Sequence, residues 1–489
     1  MSLHPHIIAP VPEETVRIAR AAFPSGTPSM TLRDVRGPIF EDQDFRALFP
    51  NNGQPGLSPW RLALVTIMPC RENLPDRQAA EAVRARIAWK YLLGLELTDP
   101  GGDFSVLSEL RDRLLAGSAE ELLLDTLLER CQALDLLKAR GQQRTDATHV
   151  LAALRVLTRF ALVAETLRAA RNAIATLAPA WLQGLAPLAW YERYGKRMEE
   201  TRLPREQAKR ETCIQTGGED GFPLLDALEA ADIPPALRDL PHRATLRQTW
   251  HHHYERLANT ATSTGHPAVP RVRFTTQEAL PRAGEAIQSP YDPEARYHRK
   301  RTTSWVGYTV HMSETCEPTT PHLLTHVHTT TAAVHEAMCT ADIHQALVDK
   351  DVAPGEHGVD AAYLDAALLV RSQEDHDMTL RGPARPNPPW QAKVAGAYTV
   401  ADVTVDWTQQ QVHCPQGRTS ARWTERLDAT GNPCIQVRFS QHDCGGCAAR
   451  PLGTQAKQAA RTLKLQPQAH FEAWHAARAW YASAEGQEG

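Results

Sequence analysis

Two aspartates have distinctive positions. Asp146 stands inside Gly141-Gln142-Gln143-Arg144-Thr145-Asp146-Ala147-Thr148-His149-Val150, a segment too polar and glycine-led to continue the preceding helix Glu120 to Leu137, and it reads as a short strand. Asp360 stands in a second short strand-like stretch, His357 to Ala362. Carboxylates brought together on neighbouring strands can share a hard divalent cation, whose preference for oxygen suits Mg²⁺ or Mn²⁺. Cations held in this way activate a water or a sugar 3′-hydroxyl for in-line attack at phosphorus and stabilise the leaving oxygen. That chemistry needs no covalent protein nucleophile.

Other residue groups suggest companions to this chemistry. Arg144 precedes Asp146 by two positions, so strand alternation puts both side chains on one face. Arg296, Arg299, Lys300 and Arg301 place four cations within six residues, a cluster able to neutralise phosphates without reading bases. Cys414, Cys434 and the pair Cys444-Gly445-Gly446-Cys447 have a spacing that could close on one tetrahedral Zn²⁺. His251-His252-His253 point in different directions on a helix and read as solvated surface. His149 and His357 flank the aspartates in sequence, yet strand packing explains them equally well. Trp474 and Trp480 read as core residues of a last helix, and Arg84, Arg86 and Lys90 as a solvated basic face.

Length and composition bound the frame that must position these groups. The chain has 489 residues, enough for roughly three domains at about 150 residues each, and 42% of them are apolar, which supplies a core for each. Its apolar runs fall far short of the ~20 residues that span a bilayer. The opening Met1 to His6 has no basic start, and Pro10 and Pro12 break the apolar patch beside it, so no secretory signal is read and a cytoplasmic location is expected. A net charge of −4 neither demands nor forbids a nucleic-acid partner. Nine cysteines are too sparse for a disulfide framework and are read as reduced.

Periodicity supplies the elements. Residues 1–138 read as a helical domain, with Trp60, Leu64 and Ile67 and then Ala80, Val83, Ile87 and Tyr91 at helical spacing, and Gly94 closing the helix that starts at Asp76. Residues 151–288 read as a helical insertion. From Trp305 to Met312 the chain alternates strictly, Leu323 to Thr329 forms a second strand, and Ala332 to Lys350 is helical. After His357 to Ala362 come a helix over Leu364 to Arg371 and a strand over Met378 to Arg381. The order β, insertion, β, β, α, β, α, β predicts an α+β ribonuclease H-like domain, built from 139–150 and 289–382 and interrupted after its first strand. In that topology strands one and four are neighbours. Asp146 and Asp360 would then meet. Pro383 to Pro389 marks a boundary, 383–467 reads as a polar, irregular cysteine-bearing module, and 468–489 as a final helix and tail.

Several blocks of the chain resemble the bacterial DDE-type insertion-sequence transposases. They are Arg144 to Val150, Ser289-Pro290-Tyr291-Asp292-Pro293-Glu294-Ala295-Arg296 with Trp305-Val306-Gly307-Tyr308 behind it, and Val359-Asp360-Ala361-Ala362-Tyr363. Leu74 to Val83 and Trp89 to Leu95 are similar to the family's InsH-like N-terminal domain. The resemblance implies Mg²⁺-dependent nicking at the ends of an insertion sequence and strand transfer into target DNA, by a homo-oligomer assembled on double-stranded DNA. It implies that Asp146 and Asp360 are the first two metal-binding acids, with a nucleoid-associated bacterial protein as their setting. The third acid of the family follows a Tyr and a Gly in a block that Tyr481, Gly486 and Gln487-Glu488-Gly489 match, which makes Glu488 the candidate. The chain stops one residue later, so the reading is of a shortened copy with impaired catalysis. A non-catalytic DNA-binding remnant and a Mg²⁺-dependent nuclease are the alternatives.

Overall fold

The computed structural model describes residues 2–484 apart from positions 4, 6, 55, 155–156, 198–205, 258–271, 385–389, 391–392 and 457–458, together with residue 486. The chain forms two compact units. One comprises 1–143, 314–325 and 347–356, the other 144–313, 326–346 and 357–489. Among the described residues no helix is long and apolar enough to cross a membrane. Most of the proline-rich boundary expected over Pro383 to Pro389 lies outside the described residues.

The first unit is mainly helical over its N-terminal 133 residues, around a core containing Phe40, Phe45, Trp60, Trp89, Leu92 and Leu110. The helix expected from Asp76 to Gly94 breaks at Arg86, whose extended backbone separates Asp76–Ala85 from Ile87–Leu93. Gly94 ends the second piece in the left-handed region, at φ 60°. The basic run is only partly a solvated face. Lys90 is buried and donates to the Asp99 carbonyl at 2.7 Å, while exposed Arg84 donates to the Pro100 carbonyl at 2.9 Å. These cations tie the helices to the adjoining loop.

In the second unit a helical body comes after the strand bearing Asp146. One of its buried helices, α1 (Arg159–Leu177), starts where the Thr158 hydroxyl accepts from the Ala161 N–H. The helix expected from Leu151 therefore begins eight residues later, because the strand runs through Leu151. Leu167, Ile174, Leu224, Leu246 and Trp250 form the core here. His253 belongs to this body and is not solvated: it is buried, and its Nδ1 accepts from Arg159 Nε at 2.9 Å. Burial, with Arg159 nearby, pushes its pKa down to about 4.

The sheet is built from β1 (Gln142–Leu151), β2 (Arg296–Lys300), β3 (Thr303–Thr315), β4 (Leu324–Thr331), β5 (Glu356–Val359) and β6 (Thr379–Arg381). Its order is β2-β3-β1-β5-β6, with β4 also pairing with β3. Strand β2 corrects the reading of Arg296 to Arg301 as a charge cluster alone, since Arg296–Lys300 pairs antiparallel with Thr303–Gly307. Helices α2 (Thr340–Asp349) and α3 (Ala366–His376) come after β4 and β5. The cysteine-bearing module is more regular than its polarity suggests. Strands β7 (Arg422–Leu427), β8 (Pro433–Arg438) and β9 (Thr462–Leu465) form an antiparallel sheet over Val412, Val437 and Leu465. The final helix α4 (Gln468–Tyr481) packs against α3.

At Gly307 the backbone of β3 approaches β1 closely. The glycine's φ is +151°, and a Cβ there would lie 2.1 Å from the Val150 carbonyl oxygen and 2.7 Å from the Ala152 nitrogen. Both obstacles are backbone, so neither can swing aside. Gly307→Ala is expected to destabilise the second unit by about 3 kcal/mol, read as a lower urea midpoint. A midpoint unchanged from the native protein would show that the two strands can part without loss.

Candidate active site

Strand order puts β1, which carries Asp146, directly beside β5, which Asp360 follows. Asp146 is the fifth of ten residues in β1, and Asp360 stands immediately after β5. Both are exposed, whereas their neighbours Thr145 and Val359 are buried. Arg144 is exposed like Asp146, with Gln143 and Thr145 turned inward. One oxygen of each carboxylate is held locally: the Ala147 N–H donates to Asp146 Oδ1 at 2.7 Å, and the Ala362 N–H to Asp360 Oδ1 at 2.6 Å.

Tyr363 lies beside Asp360. Its ring is buried, its N–H donates to the Asp360 carbonyl at 3.2 Å, and its hydroxyl shares a 2.6 Å hydrogen bond with His311 Nδ1. Burial, and then the charges of Glu336, Asp360 and Asp146, hold the phenol protonated well above its ordinary range. Glu336 is paired with Lys300 at 3.2 Å. Burial raises its pKa, but the backbone N–H and Lys300 outweigh that effect and lower it overall. His311 is kept neutral by burial and by His328, and its Nε2 lies 3.2 Å from Thr330 Oγ1. Nothing in the spacing of Tyr363, His311 and Glu336 links them. Only Tyr363 carries a sequence signal, through its place in the Val359 to Tyr363 block.

The Ser289 to Arg296 block acts as a bracket. The Tyr291 hydroxyl donates to buried Glu165, which also pairs with Arg168 of α1 at 2.6 Å. Asp292 accepts from the Tyr308 hydroxyl at 2.5 Å and from the Ala295 N–H at 3.1 Å, joining the helical body to β3. Arg296 is half-buried and donates to the carbonyls of Pro293 and Ala295. Arg299, Lys300 and Arg301 are exposed at the β2–β3 turn, where Arg301 adopts φ 57°. His149 stacks on Trp305 at 4.8 Å, so its contact is with the strand rather than with the acids.

The cysteines do not form the expected four-ligand set. Cys414, Cys444 and Cys447 line one small cavity, while buried Cys434 on β8 lines a separate groove of about 670 Å³ with Lys464 and Trp474. Alternation along β8 explains the separation, since Ile435 and Val437 face the module's core and Cys434 does not. Among the described residues no group of three or more His, Cys, Asp or Glu is arranged to hold a metal ion. Trp474 therefore borders a groove and is half-buried rather than enclosed in a core, and Trp480 lies under the Arg381 guanidinium at 4.6 Å. Glu488 lies outside the described residues.

Comparison with known families adds two matches. Residues 21–113 match a transposase domain (DUF772), and residues 413–488 match a transposase DDE domain. Both matches support a DDE-type insertion-sequence transposase. Neither match covers the sheet that carries Asp146 and Asp360. No curated protein and no solved structure matches the chain. A transposase family of this kind implies DNA as partner and a divalent cation, usually Mg²⁺. The two described carboxylates suit such an ion chemically. Mg²⁺ commonly takes one or two carboxylates and completes its shell with water and phosphate oxygens.

Proposed function

We propose that this transposase nicks DNA at the ends of an insertion sequence and joins the freed strand to target DNA, using Asp146, Asp360 and Glu488 as its acids in an interrupted ribonuclease H-like domain. The observation that carries the reading is the seating of β1 beside β5, with exposed Asp146 on the one strand and exposed Asp360 directly after the other. The match of the transposase DDE domain extends to residue 488, which supports Glu488 as the third acid.

A bound divalent cation would polarise the phosphodiester and stabilise the leaving oxygen. Asp146 and Asp360 would hold it. In nicking, the oxygen of water bonds to phosphorus and the 3′-oxygen leaves with a proton. In joining, that 3′-hydroxyl attacks a target phosphodiester and displaces a second 3′-oxygen. The helical domain of residues 1–138 would recognise element ends, and a homo-oligomer on DNA would bring two ends together.

The test is incubation of the purified protein with Mg²⁺ and a labelled duplex taken from the DNA flanking its gene. Joined products are expected. Nicking without joining would select a Mg²⁺-dependent nuclease, and binding without nicking a DNA-binding remnant.

The exposed tip of the β2–β3 hairpin supplies the clearest DNA-contact residues. Replacing Arg299, Lys300 and Arg301 together by alanine should weaken binding to all duplexes alike and reduce the salt dependence, log Kd against log salt, by about 2 to 3 in slope. An unchanged slope would remove this tip from the interface.

A further inference from the structure

Beneath the two candidate acids runs an unbroken line of buried polar side chains. Ser313 Oγ of β3 lies 2.7 Å from Thr145 Oγ1 of β1, which lies 2.7 Å from His357 Nε2 of β5. His357 Nδ1 lies 2.8 Å from His344 Nε2 of α2, and His344 Nδ1 lies 3.1 Å from Ser372 Oγ of α3. All five side chains are at least 97% buried. Thr145 is the residue before Asp146, and His357 stands three residues before Asp360.

The protons in this line have one consistent order. Ser372 donates its single hydroxyl proton to the Leu368 carbonyl at 2.6 Å, so it must accept from His344 Nδ1–H. His344 Nε2 then carries no proton and accepts from His357 Nδ1–H. His357 Nε2 in turn accepts from the Thr145 hydroxyl, and Thr145 accepts from Ser313. Every member uses its partner fully. Removing one hydroxyl strands a buried imidazole nitrogen.

An apolar layer could bury the same area, but it would slide and relax, whereas hydrogen bonds hold their strands at a set separation. We propose that Thr145 and His357 are positioning residues: the line from Ser313 to Ser372 sets the spacing of β1 and β5, and with it the separation at which Asp146 and Asp360 face a divalent cation. This inference rests on the reading of those aspartates as cation-binding acids and deepens it. A displacement of only about 1 Å at such a site can lower the rate by ~10².

Two measurements test the inference. The first uses the native protein. Selective ¹⁵N-histidine NMR at pH 7 should show His344 and His357 both neutral with the proton on Nδ1, their signals identified by loss in His344→Gln and His357→Gln. A proton on Nε2 of either ring would break the order of the line and overturn the proposal. The second reads Mn²⁺ affinity by the EPR signal of free Mn²⁺, beside Kd for the same duplex. Thr145→Val keeps shape but loses the hydroxyl, and should weaken Mn²⁺ binding about tenfold or more while DNA Kd stays within twofold. Thr145→Ser restores the hydroxyl and should recover affinity to within about threefold. If Asp146→Asn loses Mn²⁺ but Thr145→Val does not, the positioning role is wrong and the acid assignment stands. If Asp146→Asn itself keeps Mn²⁺, the underlying reading fails and the inference goes with it.

Discussion

Replacing Asp146 or Asp360 by asparagine is expected to reduce Mg²⁺-dependent cleavage by about 10³-fold or more and to leave DNA affinity within about twofold. The magnitude comes from losing one anionic oxygen ligand, since cation-assisted stabilisation of a phosphoryl transition state is worth several kcal/mol and each 1.36 kcal/mol is tenfold in rate. The selectivity comes from the surroundings. Both side chains are exposed, so the change buries no unpaired group. Asparagine keeps a carbonyl oxygen that can still accept from the Ala147 or Ala362 N–H. The fold therefore has no reason to change. Single-turnover cleavage of labelled duplex, alongside binding of the same duplex, makes the comparison. A variant that cleaves at the native rate would take its aspartate out of the site.

The second large effect is on stability, and its direction is set by three neutral imidazoles. Burial pushes His253 and His344 down to about 4 and His357 to about 3, with Arg159 and His252 adding to the first, His376 to the second and His344 to the third. In the unfolded chain each takes a proton near pH 6.5. The native rings refuse it, so the unfolded state binds more protons and stability falls as pH drops. The contribution is intact above pH 6.5 and is lost progressively from there toward pH 4, and for His357 toward pH 3. Each ring accounts for about 1.4 kcal/mol per pH unit in that window, so lowering the pH from 7 to 5 should remove on the order of 6 kcal/mol from the second unit.

Paired carboxylates do not confuse this window. Asp76, held down chiefly by its hydrogen bonds to Arg111, loses its contribution only when the pH falls below the ordinary aspartate range. Urea midpoints at pH 7, 6 and 5 measure the effect, and His253→Gln should flatten the profile. A midpoint that does not move between pH 7 and 5 would mean the rings are charged or open to water in the native state.

Much of the architecture was legible as pattern. Strict alternation from Trp305 to Met312 announced a strand, and the observed element covers Thr303–Thr315. The helix over Gln468–Tyr481 was legible from aromatic residues at helical spacing. Charge and polarity misled more often. Arg296–Lys300 looked like a phosphate-binding cluster and is also a β-strand, because backbone pairing with Thr303–Gly307 does not depend on the sign of the side chains. His253 looked solvated and is buried, because an arginine from a helix 94 residues away in sequence supplies its hydrogen bond.

What the sequence determined by itself was local: most of the strands and helices, and that Asp146 falls within a strand and Asp360 at the end of one, where their carboxylates can be exposed. Which face of each strand turns inward was decided only by the tertiary structure. On β3 the buried side is the polar one, Thr309, His311 and Ser313, while Val310 and Met312 are half-buried. Hydrophobicity alone predicts the opposite. A buried hydroxyl or imidazole is tolerated only when its partner is in place, and those partners, Thr145, Tyr363, His344 and Ser372, come from elements that no local pattern connects.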